Sequence, residues 1–146
     1  MYEQIERDLK QSMLQRDQLT TEVLRGLKAS VQNESIAKRV DKLSDEDFIS
    51  VLQREFKKRQ EAIGLYEQAG HVERAQKEKS EAEIISRYLP EQLDEDKLRA
   101  LVAEAVQEVG ATDVKQMGAV MQALQPKIKG RADGSKVAQL VRDQLS

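Results

Sequence analysis

Apolar residues recur along the chain at intervals of three and four, which is the spacing of amphipathic α-helices. The pattern predicts a first helix over about residues 2–16 and a second with its apolar face from Leu19 to Val31. No alternation of apolar and polar residues is long enough to predict a strand. The chain is therefore expected to be an all-α protein.

The longest apolar pattern predicts an antiparallel helical hairpin over residues 44–88. Ser44 is followed by three acids, which is typical of a helix N-terminus. Gly70 is expected to end this helix, and a second charged helix should run from His71 to Tyr88. The stripes are narrow, so the hairpin should pack on the first two helices or on another chain. One face of the first long helix carries Phe48, Leu52, Phe56, Ile63 and Tyr66.

Pro90 predicts a domain boundary, because proline removes a backbone donor and blocks helix continuation. We expect an N-terminal helical domain over residues 1–90, containing the hairpin, and a small three-helix domain over residues 91–146. The second helix of that small domain is expected to end before Pro126. Its three helices should begin at Asp94, at Asp113 and at Asp133 or Ser135.

Composition narrows the chemistry of this 146-residue chain. It has no cysteine, which excludes disulfides, a thiol nucleophile and a thiolate metal site. Its single histidine, His71, excludes a two-histidine metal centre. The net charge of −2 does not indicate a generic polyanion-binding surface. With no signal peptide and no apolar run of about 20 residues, we expect a cytoplasmic protein without metal, cofactor or membrane partner.

No catalytic constellation is visible in the sequence. The clusters Asp45–Asp47 and Asp94–Asp96 both fall in predicted first helical turns, where carboxylates complement the helix dipole. No serine lies in a Gly-x-Ser-x-Gly elbow, and neither a Walker A loop nor a dinucleotide-binding glycine pattern occurs. The residues therefore predict a binding or interaction role.

The segment Pro126–Gly134 is the most distinctive in the chain. It reads Pro-Lys-Ile-Lys-Gly-Arg-Ala-Asp-Gly, with three cations and two glycines ahead of a helix N-terminus. Backbone amides freed at the glycines, together with the helix dipole, would suit a phosphate group. The residues proposed for such contacts are Lys127, Lys129, Gly130, Arg131, Gly134 and the nearby Lys136.

The same segment also fits a structured turn. In that interpretation Ile128 fills the core, the glycines adopt positive φ, and Asp133 caps the last helix. Charged connections are usually solvated, which favours the turn. The two interpretations are compatible, because a rigid turn can also present groups to a ligand.

At these residues the chain resembles the GatB/YqeY family, most closely its stand-alone YqeY branch. Further similar segments are Leu24–Ala29, Tyr88–Leu93 and Met117–Met121. The resemblance implies two all-α domains, the second similar to the tail domain of the GatB protein of the Asp/Glu-tRNA amidotransferase. In that enzyme the tail binds tRNA, which implies the same role for Lys127, Lys129, Gly130, Arg131 and Gly134 here.

The resemblance also brings an association with carbon–nitrogen ligase activity that uses glutamine as amido-N-donor. In the amidotransferase that chemistry belongs to a separate, larger domain, which these residues do not contain. A chain without cysteine also lacks the usual thiol nucleophile for glutamine hydrolysis. We therefore do not expect this chain to catalyse amide transfer alone.

Two functional hypotheses remain. The first is a non-catalytic accessory protein that binds tRNA or another structured RNA through its C-terminal domain. All five aromatic residues precede Pro90, so this domain would contact RNA backbone and shape without stacking on bases. The second is a protein–protein adaptor that lays the apolar stripe of the hairpin against a partner helix.

Overall fold

A computed structural model describes residues 2–146. Over these residues the chain forms seven α-helices, one short 3₁₀ helix and no strand, which confirms the all-α class. The helices are α1 (Tyr2–Leu14), α2 (Gln18–Lys38), α3 (Asp45–Gln68), α4 (Val72–Ser86), α5 (Glu95–Val109), the 3₁₀ helix Val114–Gln116, α6 (Met117–Ile128) and α7 (Gly134–Leu145). None of the helices described here has the length and apolar content that crossing a membrane requires.

The chain divides into two compact units that meet between Leu89 and Pro90. Each unit has a hydrophobic core of its own. Helices α1 to α4 form the N-terminal unit, and α5 to α7 with the 3₁₀ helix form the C-terminal unit.

Helix starts follow the local chemistry of the sequence. The Ser44 hydroxyl accepts from the Asp47 amide at 3.1 Å, so Ser44 caps α3 as predicted. Asp94 caps α5 in the same way, accepting from the Lys97 amide at 2.8 Å. The remaining acids of both clusters lie in the first helical turn, where they face the positive end of the helix dipole.

The core of the N-terminal unit joins one face from each of its four helices. The apolar side chains of α1 and α2 meet the beginning of α3 and the end of α4. Of the two supports expected for the hairpin, the structure therefore shows the first two helices. The fully buried side chains at this contact include Ile5, Leu24, Leu52 and Ile85.

Beyond this core, ion pairs help to fasten α3 to α4. Arg59, which interrupts the apolar stripe, donates to the Glu55 carboxylate at 2.6 Å. The same guanidinium lies 3.5 Å from the Glu81 carboxylate on α4. Nearer the turn, the Lys79 ammonium lies 2.7 Å from the Glu67 carboxylate. Because residue 59 pairs with 81 and residue 67 with 79, the two helices run antiparallel.

The C-terminal unit packs three helices around a core that includes Val102, Val120, Leu124, Ile128 and Val141. The prediction that α6 ends before Pro126 is wrong, because the helix continues to Ile128. Ile128 is only 4% exposed and extends the buried stripe of Val120 and Leu124 by one turn. Its burial offsets much of the cost of a helical proline, which is about 3 kcal/mol in a helix interior.

Candidate functional site

The cationic segment between α6 and α7 forms a sharp, well-anchored bend, which we call the basic corner (residues 127–136). Gly130 adopts φ 71°, in the left-handed region that favours glycine. Just before it, Ile128 is buried and its carbonyl accepts the amides of Arg131 and Ala132 at 2.8 and 3.2 Å. The bend is therefore held from both the backbone and the core.

Arg131 ties this bend to the segment that follows Pro90. Its Nε donates to the Glu91 carbonyl and its Nη1 to the Lys127 carbonyl, both at 3.1 Å. In return, the Arg131 carbonyl accepts the Leu93 amide at 2.9 Å. The Gln92 side-chain amide donates to the Gly130 carbonyl at 2.7 Å. Arg131 therefore acts as a clamp between residues distant in sequence.

The start of α7 is already occupied by a carboxylate. Asp133 is the N-cap and accepts from the Ser135 amide at 3.2 Å. Gly134 is the first residue of α7 and is not among the glycines with positive φ. The turn interpretation is thus confirmed for Ile128, Gly130 and Asp133 and is wrong for Gly134, because a helical position needs no left-handed conformation.

These bonds change how the corner could receive an anion. The amides of Lys129, Arg131 and Ala132 donate to carbonyls of α6, so they are not available to a phosphate. The negative charge of Asp133 stands where the helix dipole would otherwise attract one. The side-chain ammonium groups are therefore better placed than these three amides to contact a phosphate.

Two of those ammonium groups lie near carboxylates from helix α5, which is distant in sequence. Lys127 Nζ lies 3.8 Å from Glu104 and 3.7 Å from Glu108, while Lys136 Nζ lies 3.8 Å from Glu95. The hydrogen bond from Arg99 and then the charge of Lys136 lower the pKa of Glu95 below its usual value. Solvent-exposed pairs of this kind are worth about 0–1 kcal/mol. Lys127 and Lys136 are thus held loosely, and the side chain of Lys129 is exposed to solvent.

The corner offers charge without reactive chemistry. Within residues 2–146 no three His, Asp or Glu side chains form a group that could hold a metal. The C-terminal unit contains no aromatic residue that could stack on a base. What the arrangement can do is present ammonium groups at fixed backbone positions.

The apolar stripe of α3 is largely used inside the N-terminal unit. Phe48 and Leu52 are buried in its core, and Phe56 packs against that core. Farther out, Ile63 and Tyr66 are half-buried, and the Tyr66 ring meets His71 edge to face at 6.3 Å. The stripe is therefore not a continuous open face of the kind the adaptor hypothesis needs.

The sequence interpretation missed a second feature of the N-terminal unit. Near the end of α2 the structure has an open cavity of about 440 Å³ with a mainly apolar lining. The signal for it was present, since Ile36 and Val40 are apolar residues beyond the stripe of α2. Without the tertiary fold, nothing showed that they border a cavity.

Comparison with known proteins shows the family of the chain. The family model described as Yqey-like protein matches residues 2–145, a range that includes the basic corner and the cavity. A search of curated proteins found no match.

Proposed function

The chain belongs to the Yqey-like protein family, and from this premise we propose that it is a non-catalytic accessory protein that associates with structured RNA. The proposed ligand is tRNA, in keeping with the resemblance of the C-terminal residues to the tail of the tRNA-dependent amidotransferase. The contact surface is the basic corner.

The observation that carries this proposal is that a rigid bend presents two loosely paired lysines, Lys127 and Lys136. Lys127 and Lys136 come from the ends of two packed helices, and Lys129 stands between them beside Gly130. The nearest carboxylates to Lys127 and Lys136 lie at 3.7 to 3.8 Å and are themselves about half exposed. Phosphate oxygens can replace such partners at little cost in free energy.

Within the corner the charged residues divide into two roles. Lys127, Lys129 and Lys136 are the proposed phosphate contacts. Arg131 is a positioning residue, because both of its described donors are directed to backbone carbonyls. Gly130 also acts by position, because its left-handed backbone sets the bend. Recognition then rests on the spacing of phosphates and not on base identity.

Binding of this kind should be moderate and sensitive to salt. Three phosphate contacts correspond to a slope of about −2 to −3 in a plot of log K against log salt concentration. Acidic neighbours such as Glu104 should repel phosphates outside the contact and so keep the overall affinity for RNA moderate.

The test is tRNA binding by the full chain, measured by fluorescence anisotropy between about 50 and about 200 mM KCl. The corner variant carries Lys127→Gln, Lys129→Gln and Lys136→Gln. A matched control carries Lys10→Gln, Lys77→Gln and Lys115→Gln, which removes the same charge from exposed positions elsewhere.

We expect the corner variant to bind at least about tenfold more weakly and to lose most of the salt slope. The control should stay within about twofold of the parent. Equal losses in the two variants, or a flat response to salt in the parent, would refute the proposal.

A further inference from the structure

The cavity of the N-terminal unit is bounded by the C-terminal part of α2, the connection to α3 and the first residues of α1 and α3. Its volume of about 440 Å³ falls in the range of sites that enclose a ligand group. The apolar side chains around it are Tyr2, Val31, Ile36, Val40, Leu43 and Phe48.

Apolar surface at this cavity is left in contact with water. Val31 and Phe48 are buried by the core, but Ile36 is 74% exposed and Val40 is 44% exposed. Exposed side chains of this type next to a concave, apolar wall are typical of a surface that another molecule covers. Nothing in the corner or its RNA contacts uses these residues.

The mouth of the cavity is acidic. Asp41 and Asp45 both line it and form no ion pair with any residue in the range 2–146. The one lysine in the lining, Lys42, lies beside an acid of its own, with its ammonium 3.2 Å from the Glu3 carboxylate. Arg39 lies nearby in sequence but is not part of the lining. The charge left at the mouth is therefore negative.

We propose that this cavity receives a large apolar side chain from a partner protein, on a segment that carries lysine or arginine beside it. The apolar wall supplies the anchor, and Asp41 and Asp45 select for the basic flank. The interaction lies in a different unit from the basic corner, so the chain would join an RNA contact and a protein contact in one molecule.

The test begins with a library of random peptides displayed on phage and selected on the full-length protein. Counter-selection uses the variant Ile36→Ser/Val40→Ser, which is expected to fold because neither side chain belongs to the buried core. An enriched peptide is then synthesised and titrated by fluorescence anisotropy. The control is Leu14→Ser/Val72→Ser, which removes two apolar side chains that are 81% and 76% exposed outside the cavity.

We expect the enriched peptides to combine large apolar residues with an excess of lysine and arginine. The Ile36→Ser/Val40→Ser variant should bind the peptide at least about tenfold more weakly, and the control should stay within about twofold. The double variant Asp41→Asn/Asp45→Asn should weaken peptide binding about threefold and reduce its salt dependence. This variant keeps the proposal testable even if Ile36→Ser/Val40→Ser does not fold.

Three results would overturn the proposal. The first is enrichment of peptides without basic residues, which would remove the charge argument. The second is that every peptide is lost in counter-selection, which would show that the cavity is not a docking site. The third is a dimer, detected by sedimentation, that Ile36→Ser/Val40→Ser dissociates, because a second copy of this chain would then occupy the cavity. Affinity for tRNA should be unchanged in all these variants, so either proposal can fail alone.

Discussion

Replacing Arg131 by methionine should loosen the C-terminal unit more than its half-exposed position suggests. Methionine keeps much of the aliphatic stem and removes the guanidinium, so the change isolates the two donors. Those donors bind the carbonyls of Glu91 and Lys127 at 3.1 Å. A hydrogen bond to a charged group contributes about 1.5–3 kcal/mol, and exposure of the Glu91 contact reduces its share. We expect a total loss of about 2 kcal/mol in the free energy of unfolding of this unit.

The assay has to report on the C-terminal unit, which has no aromatic residue. Tyrosine fluorescence would follow only the N-terminal unit, so amide hydrogen exchange in the full chain is the better measurement. The Leu93 amide is the most direct probe, because it donates to the Arg131 carbonyl at 2.9 Å. A loss of about 2 kcal/mol should speed its exchange about thirtyfold if exchange proceeds through opening of the unit.

Two further variants give the reasoning its controls. Arg131→Lys should be intermediate, because a single ammonium cannot reproduce the planar fork that reaches both carbonyls. Arg142→Met removes an exposed arginine from α7 of the same unit and should change exchange by less than about twofold.

The idea of a clamp is refuted if Arg131→Met and Arg142→Met exchange alike. RNA binding gives an independent reading. If Arg131 positions the corner, its loss should leave the salt slope unchanged; if it contacted phosphate, the slope would fall by about one.

Two other substitutions test the backbone and the pH response. Gly130→Ala should destabilise the protein by about 1 kcal/mol in urea unfolding, because alanine at φ 71° is strained. Gly118→Ala, at an open helical site in α6, should instead stabilise it by about 0.5–1 kcal/mol, and the same sign for both would contradict the argument. Burial raises the pKa of Glu55, but hydrogen bonds led by that from Arg59 outweigh it and hold the pKa below 4.5. The resulting stability is present above pH 4.5 and is lost as the pH falls through the lowered pKa. Glu55→Gln should therefore lower the urea midpoint at neutral pH, and its difference from the parent should shrink in acid.

Separating the two roles of the basic corner changes which residues an RNA experiment should target. The sequence and the family resemblance group Lys127, Lys129 and Arg131 together as cations. In the structure the Arg131 guanidinium donates hydrogen bonds to two backbone carbonyls. The Lys127 ammonium instead lies 3.7 and 3.8 Å from two carboxylates. A variant that removes all three would mix a folding defect with a binding defect. The lysine variant described above avoids that mixture.

The sequence by itself determined the helical class, most helix starts and the identity of the basic segment. These depend on interactions between residues close together in the chain. Ser44 and Asp94 cap their helices through amides three residues away, and Gly130 sets its own φ. The apolar face of each helix is likewise predicted from residues three and four positions apart in the sequence.

Only the tertiary structure decided what those elements do once packed. Arg131 meets the Glu91 carbonyl forty residues away, and no local pattern marks a backbone oxygen as its partner. Pro126 stays inside α6 because burial of Ile128 favours one more turn. The apolar stripe of α3 is buried in the core near Phe48, whereas Ile36 is exposed beside a cavity. Periodicity shows which face of a helix is apolar, but the other elements determine how much of that face is covered.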